Sequence, residues 1–122
     1  MPRGTSEVGL AAEQTVCRFL RHKGLRIVAT RFRSRRGEID IIARDGATYV
    51  FVEVRARQAG APYRPGATVT AAKQRNVIRT AEAYLAAHRL GQPPCRFDVA
   101  EVFLDRDQRP ERIELIENAF TA

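Results

Sequence analysis

Two segments of strand character, Glu38–Ala43 and Thr48–Ala56, flank an Asp45-Gly46 pair, and no other stretch restricts the fold as much. An Asp-Gly pair between alternating apolar runs is a strong local signal for a tight β-hairpin. With the turn centred on Asp45-Gly46, residues whose numbers sum to 91 face each other. Ile39 then faces Val52, Ile41 faces Val50, and Val54 continues the same apolar face. A one-residue slip would scatter these side chains, so pattern and register agree. The other face follows: Glu38 opposite Glu53, Asp40 opposite Phe51 and diagonal to Glu53, with Arg55 next in line.

Directly opposed side chains lie about 5 Å apart and diagonal ones about 7–8 Å, so like charges there oppose pairing unless neutralised. Two readings stand. A divalent cation gathers the carboxylates, as Mg²⁺ does with one or two carboxylates plus water and substrate phosphate. Alternatively the face is a solvated lattice, Glu38 paired with Arg35 or Arg36 and Glu53 with Arg31 or Arg55, each bridge worth little.

Charge elsewhere is uneven. The formal total is +7, but residues 14–97 hold seventeen bases and five acids, against net −1 before and −4 after. Eight bases and no acid lie between Gln14 and Gly37, and six more bases without an acid run from Val54 to Ala81. Clustered positive charge gains from counterion release on a polyanion, which points to nucleic acid. The plain alternative is a solvated, arginine-rich surface, since nineteen of the twenty-one bases are arginine.

Several classes fall away. With 122 residues and 44% hydrophobic content, the chain suits one folded domain spanning 1–122 rather than two domains or a disordered tail. Its longest apolar run, Ala83 to Ala87, is far short of a bilayer span, and no apolar secretory segment opens the sequence. Cys17 and Cys95 form no disulfide framework or metal cluster. The expected setting is cytoplasmic, without a membrane partner.

Helical spacing runs from Ser6 to His22 with Ala12, Val16, Phe19 and Leu20, capped by Thr5 or Ser6 and closed by Gly24. Leu25–Phe32 reads as a strand, Arg33–Gly37 as a basic turn, and Arg57–Thr68 as a long loop carrying Tyr63, an aromatic in position to touch nucleic acid. A second helix spans Thr70–Arg89 with the stripe Ala71, Gln74, Ile78, Ala81 and Leu85; Gln74 there needs a polar partner, at the site or at the sheet edge. Strands follow at Arg96–Leu104 and Arg112–Ile116. The order predicts an α/β domain with one mixed sheet flanked by helices.

Gly37-Glu38-Ile39-Asp40-Ile41-Ile42 followed by Phe51-Val52-Glu53-Val54-Arg55 resembles the YraN family of small bacterial proteins. That family is similar to the PD-(D/E)XK nuclease superfamily, in the branch nearest the archaeal Holliday-junction resolvases. The resemblance covers about residues 8–104, leaving an acidic strand and tail at 105–122, and includes Glu13, Phe19-Leu20, Lys23-Gly24, Lys73-Gln74 and Arg96-Phe97-Asp98-Val99. It implies a restriction-endonuclease-like core of helix, three strands, helix and strand. It implies that Asp40 and Glu53 hold Mg²⁺ or Mn²⁺ with the Val54 carbonyl, that Glu13 completes or orients that site, and that Arg55 stands at the motif lysine. Glu38 takes a supporting place beside these catalytic residues. Arg31, Arg33, Arg35, Arg36, Arg57, Arg64, Lys73 and Gln74 are the expected nucleic-acid contacts.

Arg55 is the departure that matters. Arginine holds charge and grips phosphate with a planar fork, but it does not give up a proton and needs more room. Lys73, one of only two lysines, offers either an ammonium to the site or a simple phosphate contact. Three functions therefore compete: a metal-dependent endonuclease-like hydrolase acting on DNA, branched DNA included; a weakly active or inactive nuclease-fold module that binds nucleic acid; and an interaction subunit whose basic surface meets an acidic protein, a second copy (a homodimer) among them.

Overall fold

The computed structural model describes residues 5–60 and 69–122, with side chains from residue 7. The capping side chains expected at Thr5 or Ser6, and Tyr63 and Arg64 of the long loop, lie outside the described residues. The elements run α1 (Thr5–His22), β1 (Arg26–Ser34), β2 (Gly37–Asp45), β3 (Thr48–Gln58), α2 (Ala71–Ala87), β4 (Cys95–Leu104) and β5 (Pro110–Phe120). The strands form one sheet in the order β1-β2-β3-β4-β5, parallel between β3 and β4 and antiparallel elsewhere. A parallel pair needs a long crossover, and α2 supplies it. The mixed α/β architecture is as expected from the sequence, the fifth strand included. Among the described residues no helix is long and apolar enough to cross a membrane.

The helices cover opposite faces. α1 buries Ala12, Val16, Cys17 and Leu20 against Ile41, Ala43, Val50, Val52, Ala100 and Val102. α2 buries Val77, Ala81 and Tyr84 against Ile42, Phe51, Phe97 and Val99. With both faces covered, the β3 and β4 runs Tyr49–Val54 and Phe97–Leu104 lose strict alternation, as strands of a doubly covered sheet do. α1 ends where Gly24 takes φ +96 and the Leu25 amide returns to the Leu20 carbonyl at 3.0 Å. At α2 the Thr70 hydroxyl accepts the Lys73 amide at 3.1 Å.

The structure corrects several expectations. The α2 stripe is rotated: Val77, Thr80, Ala81 and Tyr84 are buried, while Gln74, Ile78 and Leu85 are only half-buried. The Tyr84 ring sets this rotation, edge-on to Phe32 and Phe51 at 5.1 and 6.3 Å between centroids. β1 extends to Ser34, β3 to Gln58 and β5 from Pro110 to Phe120, so the basic turn and the acidic tail are shorter than read. Phe120 stacks on Phe97 at 5.2 Å, which holds the end of β5 in the sheet. Cys17 is buried and Cys95 is exposed, both as free thiols.

The hairpin register also moves. Asp45 pairs with Thr48, leaving Gly46 and Ala47 as the turn, and facing numbers sum to 93. Gly46 has φ +60 and Ala47 no positive φ, the sign pattern of a type II′ turn with glycine first. A shift of two keeps each residue's face but changes its partner: Ile41 faces Val52 and Ile42 faces Phe51. Glu38 therefore does not oppose Glu53, and Asp40 does not oppose Phe51. Ile39 also leaves the predicted face and packs in the α2-side core. At the same level of the neighbouring strand, Arg31 has a left-handed φ of +50 between the pairs Thr30–Ile41 and Phe32–Ile39.

Candidate functional site

The ladder between β2 and β3 runs from Asp45–Thr48 to Ile41–Val52 and stops there. Beyond it β2 continues against β1 as far as Gly37, and β3 continues against β4 as far as Gln58. The central strands part at Asp40. A backbone amide freed by such a fork still needs an acceptor, and the Val54 amide finds one in Asp40 Oδ2 at 2.8 Å. The carboxylate thereby replaces the missing strand, which fixes it in the mouth of the fork. Asp40 lines two cavities, one on each face of the sheet. The first, about 320 Å³, adds Gly9, Leu10, Ala12, Glu13, Arg31, Val54 and Ala56. The second, about 340 Å³, adds Arg36, Gly37, Glu38, Lys73, Asn76 and Val77.

Burial and the nearby Glu53 charge push the Asp40 carboxyl up to about 7, with Glu13 adding to the rise; the Val54 amide and Lys73 act against it. Glu53 is 5% exposed and meets Lys73 Nζ at 3.0 Å. Glu13 is also buried, and burial raises its pKa; Arg31, at 3.6 Å from its Oε1, opposes the rise and Glu38 adds to it. Two carboxylates thus converge under α2 while a third approaches from α1. Among the described residues no three His, Cys, Asp or Glu side chains stand close enough together to hold a metal ion. Glu13 belongs to the α1-side cavity and not to a common point with Asp40 and Glu53.

The remaining sequence candidates divide. Arg33 Nε meets Glu38 Oε2 at 2.8 Å, replacing the pairing read for Arg35 or Arg36. Lys73, not Arg31 or Arg55, is the partner of Glu53. Arg57 turns away from solvent to Glu101, a carboxylate with no exposed surface, at 2.7 Å. Gln74 spends its amide on the Val69 carbonyl at 3.1 Å, a local contact at the start of α2 rather than one at the sheet edge. Arg55 is half-buried and makes no side-chain hydrogen bond or ion pair among the described residues. Arg35 and Arg36 are exposed on the turn between β1 and β2. Asn76 was not anticipated; its spacing of three from Lys73 places both on one helix face and was the available signal.

A family model described as uncharacterised protein family UPF0102, the YraN family, matches residues 12–102. The chain belongs to this family. The match takes in Glu13, the fork at Asp40, Glu53, Arg55 and Lys73. Among UPF0102 relatives, the protein of Symbiobacterium thermophilum is 53% identical over 94% of this chain and 97% of its own length. The Ralstonia nicotianae protein is 45% identical over 98% and 90%, and that of Nitrosomonas europaea 46% over 92% of each chain. The matched segment thus runs from within α1 to within β4 and takes in β1, β2, β3 and α2 whole.

Proposed function

We propose that this UPF0102 protein is a Mg²⁺- or Mn²⁺-dependent phosphodiester hydrolase acting on DNA, with branched DNA among its substrates. The observation that carries the reading is the Asp40 carboxylate, held in the strand fork beside Glu53 and within a basic surface. A buried pair of like charges favours whatever neutralises it. Two carboxylates completed by water and phosphate oxygens are a donor set that suits Mg²⁺, so the residues fit the ion. Asp40 and Glu53, with the Val54 carbonyl, would hold it, and Glu13 would steady the α1 side. The ion would supply an activated water and neutralise charge on the phosphate.

The chain's own groups do the rest. The Val54 amide holds Asp40 in one orientation. Lys73 brings an ammonium to the carboxylates from α2, so the site has a lysine although the motif position carries Arg55. Arg55, uncommitted among the described side chains, is available to a phosphate; Arg35 and Arg36 hold the backbone beyond it. Metal-supplied cleavage assays on linear, nicked, flapped and four-way DNA test the proposal. Cleavage that disappears in Asp40→Asn supports it, whereas absence of cleavage in protein that binds the same DNA sinks it.

One observation favours a second reading, a nucleic-acid-binding module without turnover. Lys73 already neutralises Glu53 at 3.0 Å. Under that reading, Asp40→Ala and Glu53→Ala leave DNA binding equal or tighter, because negative charge facing phosphate is removed.

A further inference from the structure

A groove of about 510 Å³ lies between α1 and the edge strand β1, walled by Leu10, Glu13, Gln14, Cys17, Arg18, Arg21, Thr30 and Arg31. Leu10, Gln14, Arg18 and Arg21 recur at helical spacing, so one exposed stripe of α1 forms its length. Arg18 reaches only the Thr15 hydroxyl, at 3.3 Å, and neither Arg18 nor Arg21 has an acidic partner among the described residues. Arg31 joins them because its left-handed backbone swings it toward α1 and Glu13. Three guanidinium groups thus share a groove whose single acid, Glu13, is already paired. The groove also has a direction. Leu10, Glu13 and Arg31 line both it and the α1-side cavity, which opens on Asp40 and Val54.

We infer that this groove is a phosphate track, binding the sugar–phosphate backbone of the nucleic acid on the α1 side of the carboxylate fork, with Arg18 and Arg21 as its outer contacts. The inference rests on the hydrolase reading only for what happens at Asp40; the track itself needs no metal. The track has a length. From Leu10 to Arg21 α1 rises about 17 Å, long enough to follow a short run of phosphates on one side of the fork, while Arg35, Arg36 and Lys73 serve the other side. A guanidinium fork suits such a run of phosphates, since each group contacts two oxygens at once.

The test is equilibrium binding of a 30-base-pair duplex in EDTA, over a salt series, to the wild type and to Arg18→Ala/Arg21→Ala. Both residues are exposed, and thermal melting verifies that the variant is folded. The expected result is weaker binding and a log K against log salt slope shallower by about 1.8, two phosphate contacts at about 0.9 each. Arg18→Lys/Arg21→Lys restores most of the slope. A photocrosslinker on Gln14→Cys captures DNA, while the same reagent on Glu82→Cys, on the far helix, does not. An unchanged slope in the alanine variant, or equal crosslinking at both positions, overturns the track. Stronger competition by polyglutamate than by duplex at matched charge also overturns it, and assigns the groove to an acidic protein. If the slope falls but no DNA is ever cleaved with metal, the track stands and the hydrolase reading fails; cleavage with an unchanged slope does the reverse.

Discussion

Asp40→Asn keeps the shape of the side chain at the fork but removes the charge that burial and Glu53 disfavour. In the folded protein the Asp40 carboxyl is raised from 3.8 to about 7. The folded state therefore binds a proton that the unfolded chain has released between these two values. Stability from this group is fully present below about pH 4 and is lost as pH rises toward 7. Over pH 5 to 7 the loss is on the order of 2 kcal/mol, and it levels off above pH 7. Asparagine has no such titration. Urea unfolding in EDTA at pH 5, 6, 7 and 8 should show the variant gaining on the wild type by about 2 kcal/mol up to pH 7 and holding steady beyond. Adding Mn²⁺ at pH 8 should then stabilise the wild type and leave the variant unmoved, because only a site that holds metal in the folded state gains from it. A stability difference flat across pH 5 to 8 would refute the placement of Asp40 as a half-buried carboxyl beside Glu53.

Three further outcomes follow from the ion pairs. Lys73→Ala strips Glu53 of its neutralising ammonium, so the Asp40 carboxyl should titrate still higher; under the proposed hydrolase activity, single-turnover cleavage should fall about 100-fold. Arg57→Ala removes the 2.7 Å guanidinium partner of the fully buried Glu101 carboxylate and should cost about 3 kcal/mol in urea unfolding, an effect no solvated phosphate contact would produce. Arg96→Ala should cost a similar amount, about 3 kcal/mol, because Arg96 bonds both oxygens of buried Asp98, whose Oδ1 also accepts the Asn118 amide at 2.9 Å; hydrogen exchange should show the end of β5 loosening first.

Much of this was legible in the sequence, for identifiable reasons. α1 announced itself through Ala12, Val16 and Leu20 at helical spacing, and Gly24 marked its end. The hairpin was visible in two apolar runs around one turn. Its register was not, because an Asp-Gly pair looks like a turn centre when Asp45 is in fact the last ladder residue and Gly46-Ala47 make the bend. The reading of Ile39 failed because Ile39 and Ile41, two residues apart, pack on opposite faces of the sheet, a change at Asp40 that no alternation pattern within β2 records. The carboxylates were identifiable by residue type and motif, whereas the partner of Glu53 was not. Lys73 lies twenty positions away on a helix, and only the packing of α2 decides where its ammonium arrives. Arg57 misled for the opposite reason, since a base in a basic run gives no sign that its carboxylate waits on β4.

The left-handed Arg31 has one more consequence. β1 is an outer strand of the sheet, with its register already shifted between Ile27 and Ala29, and it presents the arginines at 26, 31 and 33. A flat, apolar border strand is a template on which another chain can assemble into fibrils. Here the border is bent out of line at Arg31 and heavily cationic, so a copy approaching edge-on meets like charge and mismatched backbone groups. An irregular, cationic edge of this kind opposes edge-to-edge pairing on this side of the sheet.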